Sequence, residues 1–573
     1  MKDKDTTEFL DQNGNGNCIE PTKSKKGKEM VKETQKDLTQ EKVEKLIWGA
    51  ADLVRDSFGI ENGNLHSVVL PITILKRIMD QREDYIKKNF MSMEEYKSDN
   101  LDLLTIYEME ETNISSIFKT KTSELFFITY DDLVNFTNGD GSEREIELSI
   151  DKNIKIKTTA KNVIEFLKEV SLDFNHNVLH KVLIDSDFFR GYLEDSKKVT
   201  SNNIVELLNH LNEIHFGSNI SEDMFSKIYM YIIERFAGDA GKKGGEFFTP
   251  DKICDLSVRC MNFQVPEKGT IKIADLTAGS ATFIITAGRI FQEQNAKILE
   301  RFEVYAQELV GSSLLMGEVG LLLAGYENLN VFHANTITEY NQNIGKYRNT
   351  MDIVVGNPPY GLKDYGIKYA EANKSEQRWS YGIPKKGEGE YAFIQTALDM
   401  VHNKGAVSLV LPLGTLFKDS TKAAREMMLK EDIVEGIVVL PGNMFQTTGI
   451  PTCIWILNKD KRTEDKGKVF MLDTTNSAWK DGKYNTIDYV KTIDMFVNRK
   501  EEEGFSGYVD LQDIEDKDFN LSVQRYIFKD EPEEEIDIVS LISEIKDLKV
   551  EISKKETEMD SIFNQIIDLQ GTK

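Results

Sequence analysis

"IKIADLTAGSATF", residues 271–283, decides the fold. Its first half is a short apolar run that reads as a buried strand, and Asp275 closes it. Gly279 and the small Ser280 and Ala281 let the backbone turn tightly and approach a ligand closely. A helix follows. Turns of this kind cradle a nucleotide or an adenosyl group. Taken alone, the stretch fits an ordinary strand–helix connection equally well.

Working outward, six more short apolar runs alternate with helical stretches: 302–307, 330–334, 351–356, 406–412, 433–441 and 453–458. Apolar strands separated by helices predict a parallel sheet covered on both faces, an α/β fold. Ligands of such sheets bind beyond the carboxyl ends of the strands. Glu308 falls at the end of the second of these strands, where an acid can accept the ribose hydroxyls of a nucleoside.

The run 351–356 ends in Asn357-Pro358-Pro359-Tyr360. An amino group conjugated to a ring is a poor nucleophile because its lone pair is delocalised. Two acceptors aimed at its N–H bonds favour the pyramidal geometry that attacks. Asn357 offers its side-chain oxygen. Pro358 offers a carbonyl that Pro359, having no N–H, cannot cap. The prolines stiffen the loop, so the acceptors are preorganised. Tyr360 offers a face on which an extruded base can stack. The chemistry requires no metal.

The flanks differ in texture. Residues 1–38 are polar and poor in aromatics, and read as a disordered extension. Residues 39–220 read as a helical N-terminal domain. Its first helix places Val43, Leu46, Ile47, Ala50, Leu53 and Val54 on one stripe. Residues 221–475 form the α/β domain and 476–573 a C-terminal segment. Within that segment, 533–568 carry Ile538, Leu541, Ile545, Leu548, Ile552, Met559, Ile562 and Ile566 at 3-4 spacing, a helix suited to pairing with another chain.

Composition sets limits. The net charge of −25 leaves little general affinity for phosphate, so a nucleic-acid substrate needs a partner or a local basic cluster. Cys18, Cys254, Cys260 and Cys453 form no CxxC pair, which argues against zinc and disulfides and fits a cytoplasmic protein. No apolar run is long enough for a membrane span. No GxxxxGK[ST] loop is present, so motor activity is not expected.

The order of adenosyl-type turn, acid, then N-P-P-Y resembles that of amino-methyltransferases. More narrowly, the chain resembles the modification subunit of bacterial type I restriction–modification enzymes, which are N6-adenine DNA methyltransferases. "LIWGAADLVRDSF", "VLPITILKRI", "GGEFFTP" (244–250), "WSYGIPKKGEGEYAFIQTAL" (379–398), "LPGNMFQTTGIPTCIWILNK" (440–459) and "DFNLSVQRYI" (518–527) carry the likeness over roughly residues 40 to 570. The resemblance implies a Rossmann-like methyltransferase domain using S-adenosyl-L-methionine. It places Glu246, Phe247, Phe248, Thr249 and Pro250 along the cofactor pocket. Asp275, Thr277, Ala278, Gly279, Ser280, Thr282 and Phe283 lie at the turn, Glu308 on the ribose and Asn335 beside the adenine ring. Asn357, Pro358, Pro359 and Tyr360 hold the target adenine.

Two departures stand out. The family's turn usually has a second glycine where this chain has Ala281 or Thr282, and more often has Asp where Asn335 stands. Implied partners are double-stranded DNA, a specificity subunit, a second methyltransferase subunit and, for restriction, a restriction subunit. Competing readings are a protein glutamine N5-methyltransferase and a non-catalytic cofactor-binding assembly subunit.

Overall fold

The computed structural model describes residues 39–60, 65–91, 105, 124–136, 143–173, 199–239, 249–326, 328–445, 448–528 and 538–570. The extension 1–38 and the segment Glu246–Phe248 lie outside the described residues.

Nine strands make one sheet: β3 (Ile271–Asp275), β4 (Phe302–Glu308), β5 (Asn328–His333), β6 (Met351–Gly356), β7 (Val401–Pro412), β8 (Val434–Leu440), β9 (Thr452–Asn458), β10 (Lys468–Asp473) and β13 (Ser506–Asp510). Their order is β13-β10-β8-β9-β7-β6-β3-β4-β5. Two small hairpins lie apart, β1 (Arg144–Glu147) with β2 (Lys155–Thr158) and β11 (Trp479–Asp481) with β12 (Tyr484–Thr486).

All seven expected strands form, and the run β5-β4-β3-β6-β7 is parallel throughout. The departures are at the other side. β9 is antiparallel to both neighbours, and β13 is antiparallel to β10. Among the described residues no helix separates β8 from β9, so the chain turns back instead of crossing over. β10 and β13 escaped the sequence reading; β13 is a short edge strand with mixed burial. Because β13 joins this sheet, the α/β unit runs on past residue 475.

Helices cover both faces of the sheet. Asp251–Cys260 packs on Thr282–Gln294 on one side, and Gly389–Met400 packs on β7 on the other. Two apolar clusters result, one per face. The larger continues into the helices of the N-terminal part.

The first helix, Gln40–Phe58, buries Val43, Leu46, Ile47, Ala50 and Val54 of the predicted stripe, with Leu53 half-buried. It is capped by the Thr39 hydroxyl at its start and by left-handed Gly59 at its end. The next helix, His66–Ile86, runs through Pro71. The helix Glu222–Asp239 links the two parts, and its Tyr229 hydroxyl donates to the Met316 carbonyl at 2.7 Å. The chain's described portion ends in one helix of 33 residues, Ile538–Gln570.

Candidate active site at the carboxyl end of the sheet

The chain leaves β3 for β4 and β5 on one side, then returns to place β6 on the other. At that reversal the connections after β3 and β6 diverge and leave a crevice, the usual ligand site of such sheets. Gly356 ends β6 so close to β3 that a Cβ there would lie 2.9 Å from Asp275 Oδ1 and 3.5 Å from Thr277 Oγ1. The two motifs found in the sequence are therefore neighbours in space.

The turn after β3 is held by backbone and acid. Ala278 N donates to Gln307 O and Gly279 N to Glu308 Oε2, both at 2.9 Å. Gly279 has φ +51° and Ala281 φ +58°. Ala281 thus occupies a left-handed position ahead of the helix Thr282–Gln294, which explains why glycine suits this place. Ser280 and Thr282 pair through their hydroxyls at 2.9 Å, while Phe283 is buried in the apolar core. On the next helix, Gly311–Leu323, a Cβ on Gly317 would come within 2.8 Å of Gly279 O and 3.1 Å of Ala281 N. Gly317 lets that helix lie directly against the turn. The sequence reading missed it, although a glycine inside a helical pattern is a signal for close packing.

Asp275 is buried, and its Oδ1 accepts from Thr277 N at 2.9 Å. Burial pushes its carboxyl up to about 7; the Thr277 bond opposes this and the Glu308 charge adds to it. Glu308 Oε1 accepts from Leu309 N at 2.8 Å and Val310 N at 2.9 Å, and Oε2 from Gly279 N. Of about four lone-pair sites on a carboxylate, three are used, so one remains for a ribose hydroxyl rather than two.

Asn335 Oδ1 accepts from Ile337 N at 2.9 Å and Thr338 N at 3.0 Å. Its oxygen is spent on the loop after β5, which leaves its Nδ2 as the group it can offer outward. A ring nitrogen suits that donor; an amino group does not.

At the end of β6, Asn357 is held at both ends of its amide. Its Nδ2 donates to Thr249 Oγ1 at 2.9 Å, and its Oδ1 accepts from the Tyr360 hydroxyl at 2.5 Å. Burial raises the Tyr360 phenol above its ordinary range, so it stays a donor. Among the described residues no donor reaches the Pro358 carbonyl. Pro358 is buried and Pro359 exposed. Thr249 and Pro250 immediately precede the helix Asp251–Cys260, and Thr249 joins the N-P-P-Y corner through Asn357.

Glu390 completes the corner. It is 3 % exposed, lies in the first turn of Gly389–Met400, and accepts from Gly361 N at 2.7 Å through Oε1. Its Oε2 is buried without a partner. The sequence reading quoted its surroundings but assigned it nothing, because only folding brings it 29 residues back to the loop.

Residues 220–535 match the N-6 DNA Methylase family. The MpnII type I restriction enzyme methylase subunit of Mycoplasma pneumoniae is 25% identical over 91% of this chain and 96% of its own length. The MjaVIII type I methylase subunit of Methanocaldococcus jannaschii is 24% identical over 96% of this chain and 90% of its own. The crystal structure of the type I restriction–modification methyltransferase subunit from Streptococcus thermophilus has the same fold. It superposes with a TM-score of 0.69 at 21% identity, covering 86% of this chain and 100% of that one. With over half of its length matched and the crevice, the turn and the N-P-P-Y corner in place, the chain belongs to the N-6 DNA methylase family.

Proposed function

We propose that this chain is the methyltransferase subunit of a type I restriction–modification complex, acting on N6 of an adenine extruded from duplex DNA. The observation that carries this is the Asn357 amide, fixed between Thr249 and Tyr360 beside the turn of β3. A base inside the stack does not present its amino group to such a corner, so the adenine must leave the duplex.

The crevice fits S-adenosyl-L-methionine. The close approach of Gly317 to the turn and of Gly356 to Asp275 leaves no room there for side chains, so backbone forms the wall. The adenosyl part would lie against residues 277–282, with Glu308 accepting from a ribose hydroxyl and Asn335 donating to the ring. Thr249 and Pro250 would border the rest. Bound there, the cofactor supplies an electrophilic methyl group.

The corner acts on the other reactant. Asn357 Oδ1 has a second lone pair beyond the one Tyr360 fills, and the Pro358 carbonyl is unclaimed. Together they accept from the two N–H bonds of the adenine amine and turn its lone pair toward the methyl. The methyl group would come from the bound cofactor, and the proton that the nitrogen then sheds would pass to water. Tyr360 orients the Asn357 amide and offers its ring to the base.

The C-terminal helix supports assembly with further chains. Ile545, Leu548, Ile552 and Met559 lie on one stripe and are each 46–57 % exposed. A specificity subunit and a second methyltransferase chain are the partners proposed for the complex. The deciding experiment supplies labelled cofactor to the complex purified from its host, with unmethylated duplex DNA and with protein as alternatives. Label on adenine N6 is expected; label on a glutamine amide overturns the reading.

A further inference from the structure

Between β6 and the helix Gly389–Met400 the chain makes a long excursion that leaves and rejoins the carboxyl end of the sheet, its middle reaching Arg348 and Glu431 near the amino ends of β6 and β8. It has its own small core of Tyr365, Ala370 and Trp379 packed on Ile337 and Phe393, separate from the two main clusters. The buried Arg378 ties it down, donating to Ile337 O at 2.7 Å and to Glu376 at 2.6 Å. Its ends meet: a Cβ on Gly389 would lie 3.1 Å from Tyr365 Cβ and 3.4 Å from Leu362 Cβ.

This braced platform displays Lys363, Lys368, Lys374, Lys385 and Lys386, all exposed. Among the described residues none of the five has an ion-pair or hydrogen-bond partner for its ammonium. Three of the four nearby carboxylates are otherwise engaged, while Glu371 is exposed three residues from both Lys368 and Lys374. Glu388 accepts from Lys418 and Ser420, Glu376 from Arg378, and Asp364 caps its own turn at Gly366 N. In a chain of net charge −25 this is a local reversal of sign. Lys363, Lys385 and Lys386 flank the point where the ends meet, next to Gly361 and the catalytic corner.

We propose that this rim is the chain's docking surface for the phosphate backbone of duplex DNA around the extruded nucleotide. The inference rests on the DNA-methyltransferase reading and adds where the substrate is gripped. Lysines serve this purpose as point charges that need no fixed geometry, and the meeting ends of the excursion hold Lys363, Lys385 and Lys386 beside the corner. It also answers the difficulty raised by the acidic composition: the cations are concentrated beside the chemistry.

The test is the salt dependence of DNA affinity, measured on the complex as purified with its partner chains. The triple substitution Lys363→Gln, Lys385→Gln, Lys386→Gln is compared with Lys268→Gln, Lys297→Gln, Lys404→Gln, three exposed lysines at the opposite, amino-end edge of the sheet. Each lost phosphate contact lowers the slope of log affinity against log salt by about 0.9. The rim triple is expected to lower it by about 2–3, with cofactor affinity unchanged, and the control triple to leave it as in the parent. The single Lys385→Gln variant is expected to lose about 0.9 of slope. Equal slopes in both triples and the parent overturn the proposal. So does loss of a partner chain from the rim variant with DNA affinity per assembled complex unchanged, which would make the rim a protein interface. A parent complex that binds DNA with this slope but never methylates it defeats the functional reading and leaves the rim standing.

Discussion

The catalytic corner and the C-terminal helix solve opposite problems. At the corner every group that must point somewhere is held by another: Asn357 by Thr249 and Tyr360, Gly361 by Glu390, Gly279 by Glu308. In Ile538–Gln570 the stripe of Ile545, Leu548, Ile552 and Met559 is left uncovered among the described residues. An isolated helix is marginal in water, and its stability comes from burying such a face. The first region is built for geometry and the second for company, so each should fail without harming the other.

The largest break comes from the second region. Deleting residues 533–573 is expected to abolish assembly with the partner chains, seen as the bare chain in size-exclusion chromatography. Cofactor binding by calorimetry should persist, because no site residue lies beyond 390. Cofactor binding lost along with assembly would show the two regions to be one.

The complementary break is Asn357→Ala. It removes an acceptor preorganised for the transition state, and such groups are worth roughly 10²–10³ in turnover. Single-turnover methylation should fall by that factor, with cofactor affinity and assembly kept. Unchanged turnover would return the chain to the class of assembly proteins.

How much of this could be read in advance follows the same division. Six of the seven strands were legible because burial on both faces makes their runs continuously apolar, β5 at the sheet edge was legible only from its short run around Val331 and Phe332, and the turn, Glu308 and N-P-P-Y were legible because each ends a buried strand. β13 was not, because it lies at the sheet edge with mixed burial; β10 was missed although its run Val469–Leu472 is as apolar and buried as the strands that were read. Glu390 and Gly317 act on loops 29 and about 40 residues away in sequence, and only the packing of their helices shows what they touch. Tyr360 was read for its ring; its hydroxyl bond to Asn357 depends on a turn geometry that spacing does not encode.

Glu390 offers a smaller and sharper test. Its carboxylate bond to Gly361 N is a charge-assisted one, worth about 1.5–3 kcal/mol. Glu390→Ala should lower kcat by roughly ten- to a hundredfold while leaving cofactor affinity in place. Glu390→Gln keeps an oxygen for Gly361 N and should recover most of that loss. If Gln is as poor as Ala, the free Oε2 rather than the loop contact matters, and Glu390 touches the substrate.

The smallest expected effect concerns the family's missing glycine. Ala281 sits at φ +58°, which costs a non-glycine residue about 1–2 kcal/mol. Ala281→Gly would relieve that strain. It would also enlarge the unfolded ensemble, at about 0.4–1 kcal/mol, and expose the loss of one buried methyl, at about 0.8 kcal/mol. These terms cancel to within about 1 kcal/mol, which is why alanine is tolerated here. The melting temperature should therefore move by less than about 4 °C, with cofactor affinity changed no more than a few-fold. Gly317→Ala is the foil: its new methyl meets the Gly279 carbonyl and must displace the turn. It should cost cofactor affinity tenfold or more. A281G behaving as badly as G317A would mean that the Ala281 methyl itself forms part of the cofactor wall, and that the corner and its turn are less forgiving than their hydrogen bonds suggest.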